Sequence, residues 1–380
     1  MSGADGKGTP AAGDNPQAQN HTAVDGTLAP LRQQIDAIDS QMLRLLNERA
    51  ELAQRIGHLK AQADAPVMRP EREAQVVARL LSENKGPLPA DTVAQLFREV
   101  MSACRSLERR VSVAYLGPEG TFSEQAVWAH FGRCVNAQPE TSLDDALRSV
   151  ETGASDFCVL PIENTTEGSV SRTLDLLQAT SLSISGEVSL PIHHQLLTQA
   201  AALKEVTEVL AHPQALAQCR AWLQAHLPGV TQTAVASNAE GARIATQRPT
   251  VAAIAGDAAR ERYALPALAE HIQDDPANRT RFVVLGRLQP GASGKDRTSL
   301  ILALPNQPGA VYRMLEPLAR HGVSMTRFES RPARTGRWEY YFYVDVQGHR
   351  SDPALTNALA DLQAQTSYFK CLGSYPVAQV

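Results

Sequence analysis

The stretch VSVAYLGPEGTFSEQAVWAHFG, residues 111–132, marks the point at which the pattern of the chain changes. VSVAYLG is typical of a buried strand, and PEGTFSEQAVWAHFG is typical of a loop that opens a helix. After it, strand-like runs alternate with helix-like runs, the strands being FCVLP, ISGEVSLPI, VTEVLA, VAAIAG and TRFVVLG. This alternation predicts an α/β region with a mostly parallel sheet, either as one domain or as two lobes.

The chain before this stretch, residues 28–110, carries helical signals throughout. A long first helix has an apolar seam at steps of four and three, formed by Leu31, Ile35, Ile38, Met42, Leu45, Leu52, Ile56 and Leu59. A second helix is predicted near Pro70, with Glu71 and Glu73 in its first turn, and a third from about Ala90 to Arg109. Because one long helix cannot bury its seam alone, we expect it to pack against a partner chain.

The chain after residue 288 predicts a third region. QPGASGKDR (289–297) has the composition of a linker. The following residues show the order strand, helix, strand, strand, helix, strand, which is the ferredoxin-like plan. We expect this domain at 298–377.

Composition excludes several classes of protein. The chain has 380 residues and a formal net charge of −4, so neither nucleic acid nor an anionic membrane surface is indicated as a partner. The five cysteines form no metal or redox motif, and their scatter suits a reducing compartment. Residues 1–27 predict a disordered tail without a secretory signal, and no run is long enough to span a membrane. We expect a cytoplasmic protein without a metal or a cofactor.

Charged residues occupy the helical region where an apolar seam is expected. Arg49 stands at a seam position, and Lys60 follows 60 − 49 = 11 residues later, about 20° from the same face of the helix. Three further charged residues lie on the other two predicted helices: Arg72 and Glu73 at the start of the second, and Glu108 at the end of the third. An interhelical salt-bridge network would explain these charges, but a buried cation on the seam favours an anion ligand.

The joint spacing LRxxID…ERxxLAxxIGxxK…RPxRE resembles the all-helical class of chorismate mutases. The resemblance implies an intertwined dimer whose sites bind chorismate, a dicarboxylate, through residues of both chains. It puts Arg49, Lys60, Arg72 and Glu73 in one site, with Arg32 from the partner chain. This chain departs from the family pattern at Arg69, where some relatives have aspartate, and at Glu108, where some have glutamine. We hypothesise that Glu108 acts as its neutral acid, because only a protonated carboxyl can donate a hydrogen bond.

Three polar loops accompany strand ends in the α/β region: GPEGTFSEQA, LPIENTTEGSV and NRTRFVVLG. Open α/β folds bind ligands at such ends, although each loop alone could be a helix cap or an Asx turn. Together with AHPQALAQC and SNAEGA they resemble prephenate dehydratase from Val111 to about Leu288. The resemblance implies a two-lobed clamshell over 111–290, like a periplasmic binding protein, with prephenate in the cleft.

By this resemblance Thr280 is the central catalytic residue. The other implied residues would bind substrate: Thr121, Asn164, Thr166, Gln218, Ser237, Asn238 and Arg281. For Arg281 a structural ion pair is the alternative, because alternation along a strand directs it away from Thr280. Some relatives have serine where this chain has Ala211, so Gln218 or His212 would have to compensate.

The motifs PNQPGAVYRML and SMTRFESRP in the last region resemble the ACT domain of prephenate dehydratases. The resemblance implies an L-phenylalanine site between paired domains, formed by Gly309, Ala310, Glu329, Ser330, Arg331 and Pro332. A solvated strand edge is the alternative for Glu329 and Arg331, since residues spaced by two share a face.

The three resemblances together predict a bifunctional enzyme. It would convert chorismate to prephenate and prephenate to phenylpyruvate, with feedback inhibition by L-phenylalanine and assembly as a homodimer or higher oligomer. Two alternatives stay open. One is a dehydratase that prefers arogenate and carries a degenerate mutase, and the other is an amino-acid receptor without catalytic activity.

Overall fold

The computed structural model describes residues 16–63, 65–304, 307–333 and 340–378. The chain divides into two compact units, one that ends at Ile56 and one that runs from Gly57 to Val380. Helix α1 begins at Pro16, so the backbone from residue 16 is helical where a disordered tail was predicted. The first 15 residues of that predicted tail lie outside the described residues. Within the described ranges no helix combines the length and apolar composition that crossing a bilayer requires.

Three helices form the N-terminal region: α1 (Pro16–Gln62), α2 (Pro70–Glu83) and α3 (Ala90–Ser106). The α1 seam is more than half exposed at every predicted position, as at Leu31 (53%) and Leu59 (65%). In the second unit α2 packs on α3 through a small core of Val77, Ala94 and Met101. Among the described residues the seam is therefore exposed, as expected for a surface that packs against a partner.

The central region alternates strands and helices in two lobes. Its elements in chain order are β1 (Ser112–Leu116), α4 (Phe122–Phe131), β2 (Asn136–Glu140), α5 (Leu143–Glu151), β3 (Phe157–Asn164), β4 (Gly168–Ser169), α6 (Ser171–Ala179), β5 (Ser183–Pro191), β6 (Gln195–Thr198), β7 (Glu208–Ala211), α7 (Pro213–Gln218), α8 (Arg220–His226), β8 (Thr231–Ala234), α9 (Asn238–Ala245), β9 (Val251–Ala255), α10 (Asp257–Tyr263), β10 (Ala267–Ala269) and β11 (Arg279–Gly286).

The two lobes each contain one sheet. The first sheet has the order β2-β1-β3-β11-β5, with β4 paired to β3, and the second has the order β10-β6-β9-β7-β8. The chain leaves the first lobe after β5 and returns to it in β11, which inserts between β3 and β5. This arrangement confirms the two-lobed prediction.

The predicted predominance of parallel strands is wrong. In the first lobe β1 is parallel to β2 and β3, but β11 is antiparallel to both of its neighbours, β3 and β5. In the second lobe β9 is parallel to β7 and antiparallel to β6. The reason is the double crossover, because a strand that returns from the other lobe enters the sheet in the opposite direction.

The C-terminal domain contains β12 (Asp296–Ala303), α11 (Ala310–Arg320), β13 (Met325–Pro332), β14 (Tyr340–Gln347), α12 (Pro353–Gln365) and β15 (Tyr368–Pro376). Its four strands are antiparallel in the order β13-β14-β12-β15. This order and the two helices confirm the ferredoxin-like prediction.

The C-terminal domain and the first lobe share one hydrophobic core. Ile301, Tyr343 and Leu372 pack in the same buried cluster as Leu160 and Leu174 of the first lobe. The backbones also approach closely, since a Cβ atom at Gly373 would overlap the carbonyl oxygen of Ile184. The segment 289–297 thus joins two bodies that are packed together, although its composition is that of a linker.

Candidate active sites

A cleft of about 670 Å³ is lined by residues of both lobes. Six of the predicted residues line it: Thr121, Asn164, Gln218, Ser237, Asn238 and Thr280. Two others do not, since Thr166 is exposed outside the lining and Arg281 is turned away. The sequence motifs therefore converge on one cavity. The two that lie furthest apart, at Thr121 and Thr280, are separated by 280 − 121 = 159 residues.

Two helix N-termini face this cleft, one from each lobe. Thr121 caps α4 by accepting a bond from the backbone N–H of Glu124, and Ser237 caps α9 by accepting one from Glu240. Asn238 accepts a bond from the backbone N–H of His212 at 2.9 Å and thereby ties the start of α9 to the loop after β7. Helix N-termini favour anions, so the cleft suits a ligand with carboxylates at two ends.

Thr280 and Asn164 are opposite each other in the antiparallel pairing of β11 with β3. The Asn164 Nδ2 group donates to Thr280 Oγ1 at 2.8 Å, and Asn164 Oδ1 accepts from the backbone N–H groups of Thr166 and Glu167 at 2.9 and 3.0 Å. The Asn164 amide is therefore held in one orientation, and the Thr280 hydroxyl accepts one bond from protein.

Gln218 joins this pair to a buried histidine of the second lobe. Its Oε1 atom accepts from Asn278 Nδ2 at 3.1 Å and lies 2.9 Å from His194 Nε2. Asn278 in turn accepts from Asn164 Nδ2 at 2.9 Å. Burial, and to a smaller extent the neighbouring His193, lowers the pKa of His194, so its ring is neutral near pH 7.

Arg281 enters a buried ion cluster between the first lobe and the C-terminal domain. It lies 2.8 Å from Glu187 and 2.6 Å from Asp345, and it donates to the Tyr375 hydroxyl at 3.0 Å. Its surroundings raise the pKa of the guanidinium despite its burial, chiefly through Tyr375 and the two carboxylates. The structure thus supports the alternative of a structural ion pair for this residue.

The predicted mutase residues are divided between the two compact units. Arg32 and Arg49 lie on α1 in the first unit, where Arg32 is exposed and Arg49 is half-buried. In the second unit Lys60 donates to the Val67 carbonyl at 2.9 Å. Arg72 is exposed on α2, and the Glu108 side chain occupies the space that a Cβ atom at Gly57 would need. Glu108 therefore lies against Gly57, in the part of α1 that also carries Lys60.

Glu73 is paired with Arg105 and lines a small cavity of about 90 Å³. Arg98 and His130 line the same cavity. Burial lowers the pKa of Arg98, and burial together with the two arginines lowers the pKa of His130 to about 3. Among the described residues no hydrogen bond or ion pair joins Glu73 directly to Lys60, Arg72 or Glu108.

The predicted effector residues lie in two places on the C-terminal domain. Gly309 precedes α11 with φ +74°, and Ala310 is the first residue of that helix. Glu329 and Arg331 share a face of β13, as predicted, but that face meets the first lobe. Glu329 accepts from the Ser169 hydroxyl at 2.6 Å, and Arg331 lies 3.3 Å from Asp175. Ser330 and Pro332 are exposed.

Known families match the three regions in the same order. The family described as Chorismate mutase type II matches residues 31–109, Prephenate dehydratase matches 113–290, and ACT domain matches 298–364. A bifunctional chorismate mutase/prephenate dehydratase of Neisseria gonorrhoeae is 50% identical over 358 residues, which covers 93% of this chain and 98% of the relative. The chain belongs to the bifunctional chorismate mutase/prephenate dehydratase family. It carries both enzyme domains and an ACT domain.

Two further comparisons agree with this membership. The bifunctional chorismate mutase/prephenate dehydratase of Stutzerimonas stutzeri is 44% identical over 357 residues, covering 92% of this chain and 98% of the relative. The crystal structure of prephenate dehydratase in complex with L-Phe from Arthrobacter aurescens is 34% identical and superposes with a TM-score of 0.65. That likeness covers 70% of this chain and 90% of the other.

In this bifunctional chorismate mutase/prephenate dehydratase, sequence analysis missed several residues that the cleft brings together. His194, Ser123 and Thr141 line the cleft, and Asn278 lies directly behind it. Asn278 offered a signal as the first residue of the NRTRF motif. His194 lies in the connection between β5 and β6, where strand alternation gives no signal.

Proposed function

We propose that this enzyme converts chorismate to prephenate and prephenate to phenylpyruvate, and that L-phenylalanine inhibits it by feedback. Membership of the bifunctional family supports the pair of reactions. The observation that carries the proposal is the convergence of Thr280, Asn164 and Gln218 with two helix N-termini on one cleft. This combination supplies donors for a dianionic substrate and for a leaving hydroxyl group.

The dehydratase step requires little more than positioning. One proton and prephenate give phenylpyruvate, carbon dioxide and water as the C1–carboxylate and C4–oxygen bonds break and the ring becomes aromatic. We assign the donor role at the C4 oxygen to Thr280, and substrate binding to Thr121, Asn164, Gln218, Ser237 and Asn238. Thr166 contributes its backbone N–H to Asn164, and Arg281 acts through the ion cluster.

The mutase step is an isomerisation in which a carbon–oxygen bond breaks while a carbon–carbon bond forms. We assign Arg49, Lys60, Arg72, Glu73 and Glu108 to its site, with Arg32 of a second copy completing it. Arginine clamps would hold the two carboxylates in the reactive conformer. The exposed α1 seam supports a homodimer or higher oligomer, because a second copy of the same helix would cover it.

We assign L-phenylalanine to the ACT domain, at Gly309, Ala310, Glu329, Ser330, Arg331 and Pro332. The L-Phe complex of the Arthrobacter aurescens enzyme supports this effector. The domain boundaries we propose are 28–110, 111–290 and 298–377. All five cysteines are free thiols, which supports a reducing compartment such as the cytoplasm.

One assay tests the whole proposal. The purified chain is given chorismate alone, and prephenate and phenylpyruvate are measured separately with and without L-phenylalanine. We expect phenylpyruvate to form and to fall when L-phenylalanine is added. Prephenate that accumulates without phenylpyruvate would overturn the dehydratase assignment and make arogenate the next substrate to test.

Two variants serve as reciprocal controls in that assay. Thr280→Ala should lose dehydratase turnover by about 100-fold or more and keep mutase turnover, since it removes one positioned donor. Arg49→Ala should lose mutase turnover from chorismate and keep dehydratase turnover when prephenate is supplied. Unchanged chorismate and unchanged prephenate in the parent would leave a receptor without catalysis as the better interpretation.

A further inference from the structure

We propose that Asn278 and His194 are positioning residues of the dehydratase site. A chain of side-chain amides starts at two backbone N–H groups, passes through Asn164, Asn278 and Gln218, and ends at His194. We call it the amide relay. It fixes the direction in which Thr280 and Gln218 present hydrogen atoms to the cleft. The proposal rests on the dehydratase activity proposed above.

The relay begins at the loop after β3. Asn164 Oδ1 accepts from the backbone N–H groups of Thr166 and Glu167 at 2.9 and 3.0 Å. A backbone N–H can only donate, so the atom that faces both must be the oxygen of the amide. The Nδ2 atom of Asn164 must then face Asn278 and Thr280.

This direction passes along the relay to the second lobe. Asn164 Nδ2 donates to Asn278 Oδ1 at 2.9 Å, which leaves Asn278 Nδ2 to donate to Gln218 Oε1 at 3.1 Å. His194 Nε2 lies 2.9 Å from that same oxygen. Since a carbonyl oxygen only accepts, His194 must carry its proton on Nε2. Its Nδ1 atom is buried and has no hydrogen-bond partner in the described part of the chain.

The relay fixes the Thr280 hydroxyl and the Gln218 amide as hydrogen-bond donors to the cleft. Thr280 Oγ1 accepts from Asn164 at 2.8 Å, and its own hydrogen has no acceptor among the described residues. Gln218 uses its oxygen for both bonds, and within the same residues its amide nitrogen has no acceptor either. Both groups are thus set to donate to a substrate, one to the leaving oxygen and one to a carboxylate. Because the relay fixes them in advance, they need no reorientation in the transition state.

Asn278 and His194 act through their neighbours and not by contact with the reacting atoms. Asn278 is 1% exposed and is absent from the lining of the cleft. His194 lines the cleft beside Phe122, in the crossover between β5 and β6, but it is only 2% exposed and its Nε2 atom is bonded to Gln218. Their removal should therefore lower dehydratase kcat/KM for prephenate, because Thr280 and Gln218 lose their fixed orientation.

Asn278→Asp tests the direction of the relay. The carboxylate still accepts from Asn164 but cannot donate to Gln218, so the Gln218 amide must turn its nitrogen towards Asp at this position. His194 Nε2 would then accept, and its proton would move to Nδ1. Gln218 would then present its oxygen to the substrate carboxylate, so we expect dehydratase kcat/KM for prephenate to fall about 100-fold, while mutase turnover is kept.

The tautomer can be measured directly by NMR on full-length protein with ¹³C,¹⁵N-labelled histidine. The His194 signals are assigned by their loss in His194→Gln. We expect protonated Nε2 in the parent and protonated Nδ1 in Asn278→Asp. His194→Gln itself retains a donor for Gln218, so it should keep more dehydratase turnover than His194→Leu.

Gln273→Glu is the matched control. Gln273 lies on the same crossover segment and accepts from the His194 backbone N–H at 2.9 Å, but it lies outside the relay. Like Asn278→Asp it adds one carboxylate, and it should leave the tautomer and dehydratase kcat/KM unchanged. A parent His194 protonated on Nδ1, or equal kcat/KM in the two variants, would overturn the proposal. An inactive parent with the expected tautomer would instead contradict only the proposed dehydratase activity.

Discussion

Thr280 and Arg281 are adjacent residues of β11 with opposite surroundings, because side chains alternate along a strand. Thr280 lines the cleft and accepts a bond from Asn164. Arg281 is buried against Glu187 and Asp345, and the loss of one partner from such a cluster typically costs ~3–5 kcal/mol. One strand therefore carries the proposed donor on one face and an anchor to the ACT domain on the other.

Glu108 provides a test of protonation at the proposed mutase site. Its side chain lies against Gly57 on α1. As a carboxylate it could only accept from the substrate, whereas as a neutral acid it could donate to the ether oxygen. If the neutral acid is the active form, mutase kcat falls as the pH rises in the parent and stays level in Glu108→Gln.

The control for this pH profile is Glu83→Gln, which removes an exposed carboxylate that pairs only with Arg79 in the described structure. Its profile should match that of the parent. Superimposable profiles for Glu108→Gln and the parent would show that a proton on Glu108 is not required. The comparison is made on mutase initial rates from chorismate, so the dehydratase step does not enter.

Sequence motifs predicted the residues that touch the cleft better than those that support them. Thr280, Asn164 and Gln218 stand in recognisable loops, and the structure brings them together. Asn278 and His194 were missed as site residues because their role depends on partners 114 (278 − 164) and 24 (218 − 194) residues away. Pairings across lobes leave no local pattern in a single sequence. Thr166 also stands in a recognisable loop, but it does not line the cleft. Its backbone N–H donates to Asn164, and its side chain takes no part in that bond.

At the scale of the element, α1 is a helix whose apolar face is exposed in the described part of the chain. Leu45 is 55% exposed at the middle of the seam. Burial of such a leucine in a dimer contributes ~1.5–3 kcal/mol per chain, and a lysine there would add the cost of a buried charge. We expect Leu45→Lys to dissociate the proposed dimer and to lower mutase turnover about 100-fold, because the proposed site would lose Arg32 of the second copy.

The matched control is Gln33→Lys, which adds the same charge to an exposed position on the face of the helix opposite the seam. Molar mass by light scattering, mutase rates and dehydratase rates from prephenate are measured for both variants. Dehydratase turnover should stay within about threefold in each, since the cleft lies wholly within the second unit. Equal mass and equal mutase rates in the two variants would contradict dimerisation through the seam.

Helix bounds were accessible to sequence analysis, and strand direction was not. Pro70 and the acidic first turn place the start of α2 correctly, because capping chemistry is local. The direction of β11 depends on the chain having crossed to the second lobe and back, which no local pattern records. The edge strands β4 and β10 were missed because two or three residues are too few to show an alternating pattern.

At the scale of the whole molecule, the ACT domain is built into the dehydratase. It shares a hydrophobic core with the first lobe, and Lys370 donates to carbonyl groups at the end of α6. Glu329 contacts Ser169 and Arg327 contacts Glu163, the residue before Asn164. β13 therefore contacts the residue that precedes Asn164 of the amide relay, which would give the proposed effector binding a short physical route to the proposed donor.

Gly373 tests whether this docking transmits inhibition. A Cβ atom there would overlap the Ile184 carbonyl, so Gly373→Ala should push β15 away from β5. We expect lower thermal stability and weaker inhibition of the dehydratase by L-phenylalanine, with mutase turnover kept. Gly294→Ala is the matched control: both glycines have positive φ, +147° and +97°, but a Cβ atom at Gly294 meets nothing within 4 Å. Backbone strain alone would affect both variants, whereas lost docking affects only Gly373→Ala. Full inhibition in Gly373→Ala would mean that the effector acts through the paired ACT domains without this contact.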